Sequence, residues 1–352
     1  MARAHRELFE TAVAAAAPAL APLRDATVYV TGASGFLAAS LLAFLKIADE
    51  RHGLGLRLAA SARRPAAAVP LFRYLDITPP AAWEVAPAEQ ATPPADMPGL
   101  IVVHAASYGS PRDYLREPLA TYEANTTGLI RLFRHAAAQQ ARHFVYFSTA
   151  EVYGQPPETA MPTPEDFVGG LDTLAVRSVY GESKRMAEVL GTCLAAETGV
   201  PFTALRPWNL YGPGQRRDDG RVPVEFLRQA LESGTITLAS DGTPRRCPCF
   251  VWDGLRQIVA TVGVPSASPV AWNIGNPTQG VTMLGLARRC AAAAGLPPDA
   301  VRWNPAARAG GMLRSVPDVR RVQALAGEVA FTPLDRGLGV TLDWLRFLTR
   351  HA

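Results

Sequence analysis

The chain has 352 residues, 48% hydrophobic and 19% charged, with a formal net charge of +4. That balance suits a folded protein with a large apolar core and excludes an intrinsically disordered one. No run approaches the eighteen apolar residues of a membrane span. The positive charge is dispersed: of 35 Lys and Arg residues only Lys46 and Lys184 are lysines, and no basic block reaches five, which argues against a nucleic-acid surface.

A helical extension is expected over residues 1–24. Its Ala-rich part, Thr11 to Ala21, lacks the order of a secretory signal, so a cytoplasmic protein is expected. Thr27–Thr31 is a β-branched run typical of a buried strand, and Gly32-Ala33-Ser34-Gly35 then leads into an apolar helix over Ser40–Ile47. Further strands are expected at Leu56–Ala60, Leu100–His104, Phe144–Ser148 and Phe202–Leu205, with helices between them. Pro79 to Pro98 reads as an exposed connection with a short helix at most. Strand and helix in alternation predict an α/β fold, a Rossmann-type doubly wound parallel sheet. Beyond Leu205 the pattern becomes irregular: a turn-rich Pro207–Gly220, a helix near Val222–Leu231 and a short strand at Phe250–Trp252. The expected division is a dinucleotide-binding domain at 25–206 plus about 245–275, and a smaller α/β lobe from 207–244 and 276–352. Cys193, Cys247, Cys249 and Cys290 form no CxxC pair, so reduced buried thiols and no metal site are expected.

Three segments carry chemistry. Gly32-x-x-Gly35-x-x-Ala38 permits a tight turn that aims free helix N–H groups at a pyrophosphate. The second strand ends Ala60-Ser61-Ala62-Arg63-Arg64, without the carboxylate that normally holds the adenosine ribose. Arg63 is therefore open to stacking on adenine, to meeting a 2′-phosphate or to simple solvation, which leaves NAD and NADP both possible. Asp76-Ile77 is expected to follow a strand and meet the adenine amine. Tyr180 and Lys184 share one helix face, and a nearby ammonium should lower the phenol toward neutrality, making a base for a sugar hydroxyl. Thr149 and Glu151, where a strand runs out into a loop, can place a hydroxyl and a carboxylate in the same pocket.

Taken together, TGxxGF, His104-Ala105-Ala106-Ser107, Asn125, Ser148-Thr149, Tyr180-x-x-x-Lys184 and Arg206-Pro207-Trp208-Asn209 resemble the extended short-chain dehydrogenase/reductase family. Within it the chain is most similar to nucleotide-sugar enzymes of the UDP-glucuronate decarboxylase type, through Ser110-Pro111-x-x-Tyr114, Glu151-Val152-Tyr153-Gly154, Arg177-Ser178-x-Tyr180, Asp218-Asp219-Gly220-Arg221-Val222 and Arg246. The resemblance implies Thr149, Tyr180 and Lys184 as the catalytic trio, with Glu151 and Arg246 as the decarboxylase additions. It implies NAD held by Gly32, Ser34, Gly35, Phe36, Leu37, Ala105, Ala106, Ser107, Asn125 and Pro207. Tyr114 would lie near the sugar carboxylate, and Ser110, Asn209, Arg216, Arg221, Val222 and Arg314 would serve the UDP-sugar. The implied reaction oxidises C4 of UDP-glucuronate and decarboxylates the 4-keto acid to UDP-4-keto-xylose, UDP-xylose or both. A 4-epimerase, a 4,6-dehydratase and a non-catalytic dinucleotide sensor are the alternatives. In similar enzymes the helices at Thr121–Gln139 and Tyr180–Ala196 pair across a homodimer axis. Two departures matter beyond the missing ribose carboxylate. Ala38 stands at the third glycine, and Ala150 stands where the dehydratases carry a proton-donating aspartate.

Overall fold

The computed structural model describes residues 2–304 and 315–351. Its frame is a seven-stranded sheet made of β1 (Thr27–Thr31), β2 (Arg57–Ser61), β3 (Ala82–Glu84), β4 (Leu100–His104), β5 (His143–Phe147), β6 (Phe202–Pro207) and β7 (Val270–Ile274). The strand order is β7-β6-β5-β4-β1-β2-β3, with every neighbouring pair parallel. Parallel sheets are covered on both faces, and β1, β4 and β5 are buried along their whole length. The two-residue period of a strand divides their side chains between two cores. Val28, Val30, Ile101, Val103 and Val145 join one, and Tyr29, Val102, Phe144 and Tyr146 join the other.

The chain reverses its direction of winding between β1 and β4, so their carboxyl ends diverge and open a crevice. Around the sheet lie helices α1 (Ala2–Ala15), α2 (Phe36–His52), α3 (Pro118–Asn125), α4 (Thr127–Ala138), α5 (Ser178–Thr198) and α6 (Val251–Val262). Helix α2 ends where Gly53 takes a left-handed φ of 56° and donates its N–H to Asp49, a glycine C-cap. The N-terminal extension is helical and fastened to the sheet layers. Phe9 is fully buried, edge-on to Phe44 of α2 at 5.8 Å and 5.2 Å from Trp252 of α6.

Several elements differ from the sequence expectation. The Pro79–Pro98 connection contains the edge strand β3, formed because Ala82–Glu84 pairs with Ala59–Ser61, a tertiary contact that the weak local propensity of Ala-Trp-Glu conceals. Asp76 and Ile77 follow a short helix, Val69–Tyr74, and not a strand. The single helix expected over 121–139 is two, α3 and α4, separated at Thr126. Of the Phe250–Trp252 segment only Phe250 is strand, pairing together with Cys249 against Leu210–Tyr211, and Val251 already begins α6. Strand β7 was not anticipated. Cys193 is exposed on α5, while the other three thiols are buried.

Truncating Phe9 would leave a cavity between α1, α2 and α6. Phe9→Ala is expected to cost about 3 kcal/mol, the low end for a buried aromatic truncation. Denaturant unfolding checks it, and a loss below about 1 kcal/mol would mean that the extension is not part of the cooperative core.

Candidate active site

A cleft of about 920 Å³ runs across the carboxyl ends of the strands. At one end lies the β1–α2 turn. Gly32 has φ +64°, and a Cβ there would sit 2.5 Å from the Ala106 Cα, so only glycine lets the two strand ends close together. Gly35 donates to the Gly32 carbonyl at 2.8 Å and then caps α2 in extended conformation, without any side-chain cap. The first N–H groups of α2 therefore face the cleft with the positive end of the helix dipole, and Ser34, Gly35, Phe36, Leu37 and Ala38 line it. Ala105, Ala106 and Ser107 form the opposing wall, and the Ser107 hydroxyl is buried and unpartnered. A glycine cradle, free helix N–H groups and an unsatisfied hydroxyl fit the diphosphate and ribose of a dinucleotide.

At the mouth, Arg63 donates to the Tyr108 hydroxyl at 2.7 Å and lies 4.6 Å over its ring. Arg64 lines the same edge, and no carboxylate follows β2 there. Asp76 does not reach the cleft. Its carboxylate is largely exposed, 3.7 Å from Arg6 of the N-terminal helix. Ile77 packs into the core instead. The loop after β3 takes their place, with Ala86, Ala88 and Glu89 on the lining. Asn125 is also absent from the lining. It is fully buried and donates to the Ser183 hydroxyl at 2.9 Å, tying α3 to α5.

The other end gathers the reactive groups. Thr149 caps a 3-10 turn over Ala150–Tyr153, its hydroxyl accepting from the Glu151 N–H at 3.2 Å. The turn is held from behind: Glu188 on α5 accepts from the Ser148 hydroxyl at 2.5 Å and takes a bidentate pair from Arg206, at 2.9 and 2.6 Å. Lys184 is buried, donates to the Phe147 carbonyl at 2.6 Å and lies 4.6 Å over the Tyr146 ring. Its nitrogen is 5.9 Å from the centre of the Tyr180 ring. Tyr180 stacks on buried Tyr114, rings 5.0 Å apart and 7° from parallel.

This geometry corrects the expected acidic phenol. Burial, followed by the Glu151 carboxylate, pushes Tyr180 up to about 12 against a smaller opposing contact from Thr149. The same dryness pulls Lys184 down to about 7. The ammonium is committed to a carbonyl and a neighbouring ring, so desolvation outweighs its effect on the phenol. His104 behind it shares a 2.7 Å hydrogen bond with Thr31 and is held neutral, pushed down to about 3 by burial and then by Lys184.

Around this end stand several cations. Arg216 pairs with Asp113 at 3.0 Å, and Arg221 is locked to Asp219 by contacts of 2.6 and 2.8 Å. Arg246 lines the cleft on a short ribbon with Val281–Thr282, and among the described residues no carboxylate pairs with it. Burial lowers its basicity. Ser110, Asn209, Val222 and Pro207 also face the cleft, Asn209 donating to the Ser315 hydroxyl at 2.9 Å. Tyr114 is buried against Tyr180, and Arg314 lies outside the described residues. Sequence reasoning gave no role to Arg177, which pairs with Glu151 at 3.8 Å; its spacing of three residues before Tyr180 was the available signal.

Comparison with known proteins agrees with the geometry. Residues 28–275 match the NAD dependent epimerase/dehydratase family, and the chain belongs to that family. It is 31% identical over 250 residues to UDP-glucuronic acid decarboxylase 1 of Xenopus tropicalis, an alignment covering 71% of this chain and 58% of the relative. It is 35% identical over 186 residues to UDP-glucuronic acid decarboxylase 3 of Arabidopsis thaliana, covering 53% of each. The chain thus spans little more than half the length of these curated relatives. Among solved structures, MoeE5 in complex with UDP-glucuronic acid and NAD superposes with a TM-score of 0.72 at 25% identity, over 91% of this chain and 99% of that one. UDP-glucuronic acid 4-epimerase from Bacillus cereus superposes at 0.76 with 19% identity, over 92% and 99%, and shares the fold. The fold and the cleft are thus those of a member of the NAD dependent epimerase/dehydratase family.

A direct titration tests the site's electrostatics. Tyrosinate absorbance, taken as the difference between the wild type and Tyr180→Phe in cofactor-free protein, should show Tyr180 fully protonated at neutral pH and ionising only in strongly alkaline solution. A phenolate already present near neutrality would show that Lys184 governs the phenol after all.

Proposed function

We propose that the protein oxidises C4 of UDP-glucuronate with NAD and decarboxylates the 4-keto acid, yielding UDP-4-keto-xylose, UDP-xylose or both. The observation that carries this reading is that Glu151 and Arg246 line the same cleft as Thr149, Tyr180 and Lys184. The similarity to named decarboxylases supports it. Ala150 supports it further, because a methyl group has no proton to give a departing hydroxyl, which disfavours dehydration.

When bound, NAD would supply an oxidised, positively charged nicotinamide as acceptor for the C4 hydride, and UDP-xylose would form only where that hydride is returned to C4 after carbon dioxide has left. The turn at Gly32 to Leu37 and the N-terminus of α2 would hold its diphosphate, with Ala105 to Ser107 opposite and Pro207 at the nicotinamide end. With positive charge brought in by the bound molecules, Tyr180 first gives up its own proton to solvent; the phenolate then removes the C4 hydroxyl proton, and Thr149 orients that hydroxyl. Lys184, anchored on Phe147, keeps positive charge behind the phenol in its protonated form. Oxidation places a carbonyl β to the C6 carboxylate. Carbon dioxide then leaves, and its bonding electrons pass to the C4 oxygen as an enolate that the Tyr180 and Thr149 hydroxyls stabilise. Arg246, with no carboxylate partner among the described residues, meets the substrate carboxylate, whereas Tyr114 lies buried behind Tyr180 and off the cleft lining. Glu151, its affinity for protons raised chiefly by burial, serves protonation at C5. Asn209, Arg216, Arg221 and Val222 would hold the UDP, in a lobe built from 207–244 and 276–352.

Mass analysis of products from UDP-glucuronate and NAD tests the reading. Loss of carbon dioxide is expected; an unchanged mass would indicate an epimerase, and loss of water a dehydratase. Tyr180→Phe should lower the rate by on the order of 10² or more, the scale for losing a general base.

The reading extends to a homodimer through α3 and α5. Leu115, Leu119 and Tyr122 on and beside α3, and Met186 and Val189 on α5, are all exposed, and the two helices pack side by side. Light scattering should give twice the chain mass, and the pair Leu119→Glu and Met186→Glu should give the monomer. A monomeric wild type would remove this part of the proposal.

A further inference from the structure

Glu151 sits where burial favours its protonated form, so something must fix its carboxylate for it to act at one place in the ring. The backbone supplies the first constraint. The turn carrying Glu151 lies against the first turn of α5, so close that a Cβ at Gly181 would come 3.3 Å from the Glu151 carbonyl and 3.6 Å from its Cβ. The backbone of Glu151 is thereby fixed beside the first turn of the helix. A side-chain cation is the second. Of the arginines around this end, Arg221 is held by Asp219, Arg216 is divided between Asp113 and Asp218, and Arg246 has no carboxylate partner among the described residues. Arg177, at the N-cap position of α5, is the arginine whose guanidinium pairs with Glu151, at 3.8 Å. It also contacts the phenol of Tyr114, whose ring is stacked on Tyr180.

We propose that Arg177 is a positioning residue that fixes the Glu151 carboxylate and the Tyr114 ring relative to Tyr180 at the sugar end of the cleft. It acts through its two partners and does no chemistry itself. The inference rests on the decarboxylase reading only for the meaning of Glu151, and its physical content is independent of the substrate. An arginine suits the task because its planar fork spans two separated acceptors in a fixed geometry, whereas a lysine gathers its three donors on one nitrogen at the end of a flexible stem. Burial raises the proton affinity of Glu151, and Arg177 is the larger of the two cationic influences opposing that rise.

Two measurements test the proposal. The first uses substrate-free protein carrying glutamate labelled with carbon-13 at the side-chain carboxyl, the Glu151 signal being the one lost in Glu151→Gln. In Arg177→Met the Glu151 titration midpoint should move upward, and in Arg177→Lys it should move back toward the wild type. The second is steady-state kinetics with UDP-glucuronate. Arg177→Met should lower kcat by roughly 10-fold to 10²-fold, the scale of a small misplacement of a reacting group, with a smaller change in KM. Its pH profile should shift with the titration, and in a Glu151→Gln background the same substitution should leave the profile unmoved. A Glu151 midpoint identical in the wild type and both variants would overturn the positioning role whatever the activity. A wild type inert toward UDP-glucuronate would instead defeat the proposed reaction and leave the titration to decide Arg177. If Arg177→Met does not fold, the uncharged Arg177→Gln takes its place, and a glutamine variant with normal kcat together with an unmoved midpoint would likewise overturn the proposal.

Discussion

One constraint governs the sugar end of this cleft: a phenol, an ammonium and a carboxylate share a space dry enough that burial shifts each of them toward its neutral form. Burial drives Tyr180 up and Lys184 down, and it raises Glu151 as well. Each charge removed from water favours the neutral state of its owner, and at these separations desolvation exceeds the mutual attraction. The site thus rests with its base protonated, and its reactivity depends on charge brought in with bound molecules. Its own arginines are mostly committed to aspartates, which keeps the local field steady while leaving Arg246 available.

The groups that do not react have the task of holding this arrangement still. Glu188 on α5 joins the Ser148 hydroxyl to both arms of Arg206, whose third contacts reach the Tyr153 hydroxyl and the Glu165 carbonyl. Four segments distant in sequence are thereby tied at the foot of the turn that presents Thr149 and Glu151. Nearby, Asn273 accepts from the Tyr153 hydroxyl and the Trp208 indole and donates to the Thr163 and Asp318 carbonyls. Satisfied polar networks of this kind rigidify a buried region, because breaking any one member strands the others without water.

Much of this was legible along the chain because its signals are local. The β1 strand, the Gly32–Gly35 turn and α2 are written in consecutive residues, and the i, i+4 spacing of Tyr180 and Lys184 requires only that the segment be helical. Thr149 and Glu151 were legible as the end of a strand. Features that depend on a partner elsewhere were not. Ala-Trp-Glu becomes a strand only beside Ala59–Ser61, and Asp76 looked like an adenine ligand only while a strand was assumed before it. Asn125, expected beside the cofactor, braces two helices and does not line the cleft, an arrangement set by its partner Ser183.

The sequence by itself determined the parallel α/β architecture and the dinucleotide turn, because periodicity and spacing encode backbone geometry directly, while the grouping of Thr149, Glu151, Tyr180, Lys184 and Arg246 came from the resemblance to a known family. Only the tertiary structure decided the protonation of that set. Whether an ammonium makes a phenol acidic depends on where its charge is spent and on how much water is left, and Phe147, Tyr146 and Tyr114, which settle both, come from other parts of the chain.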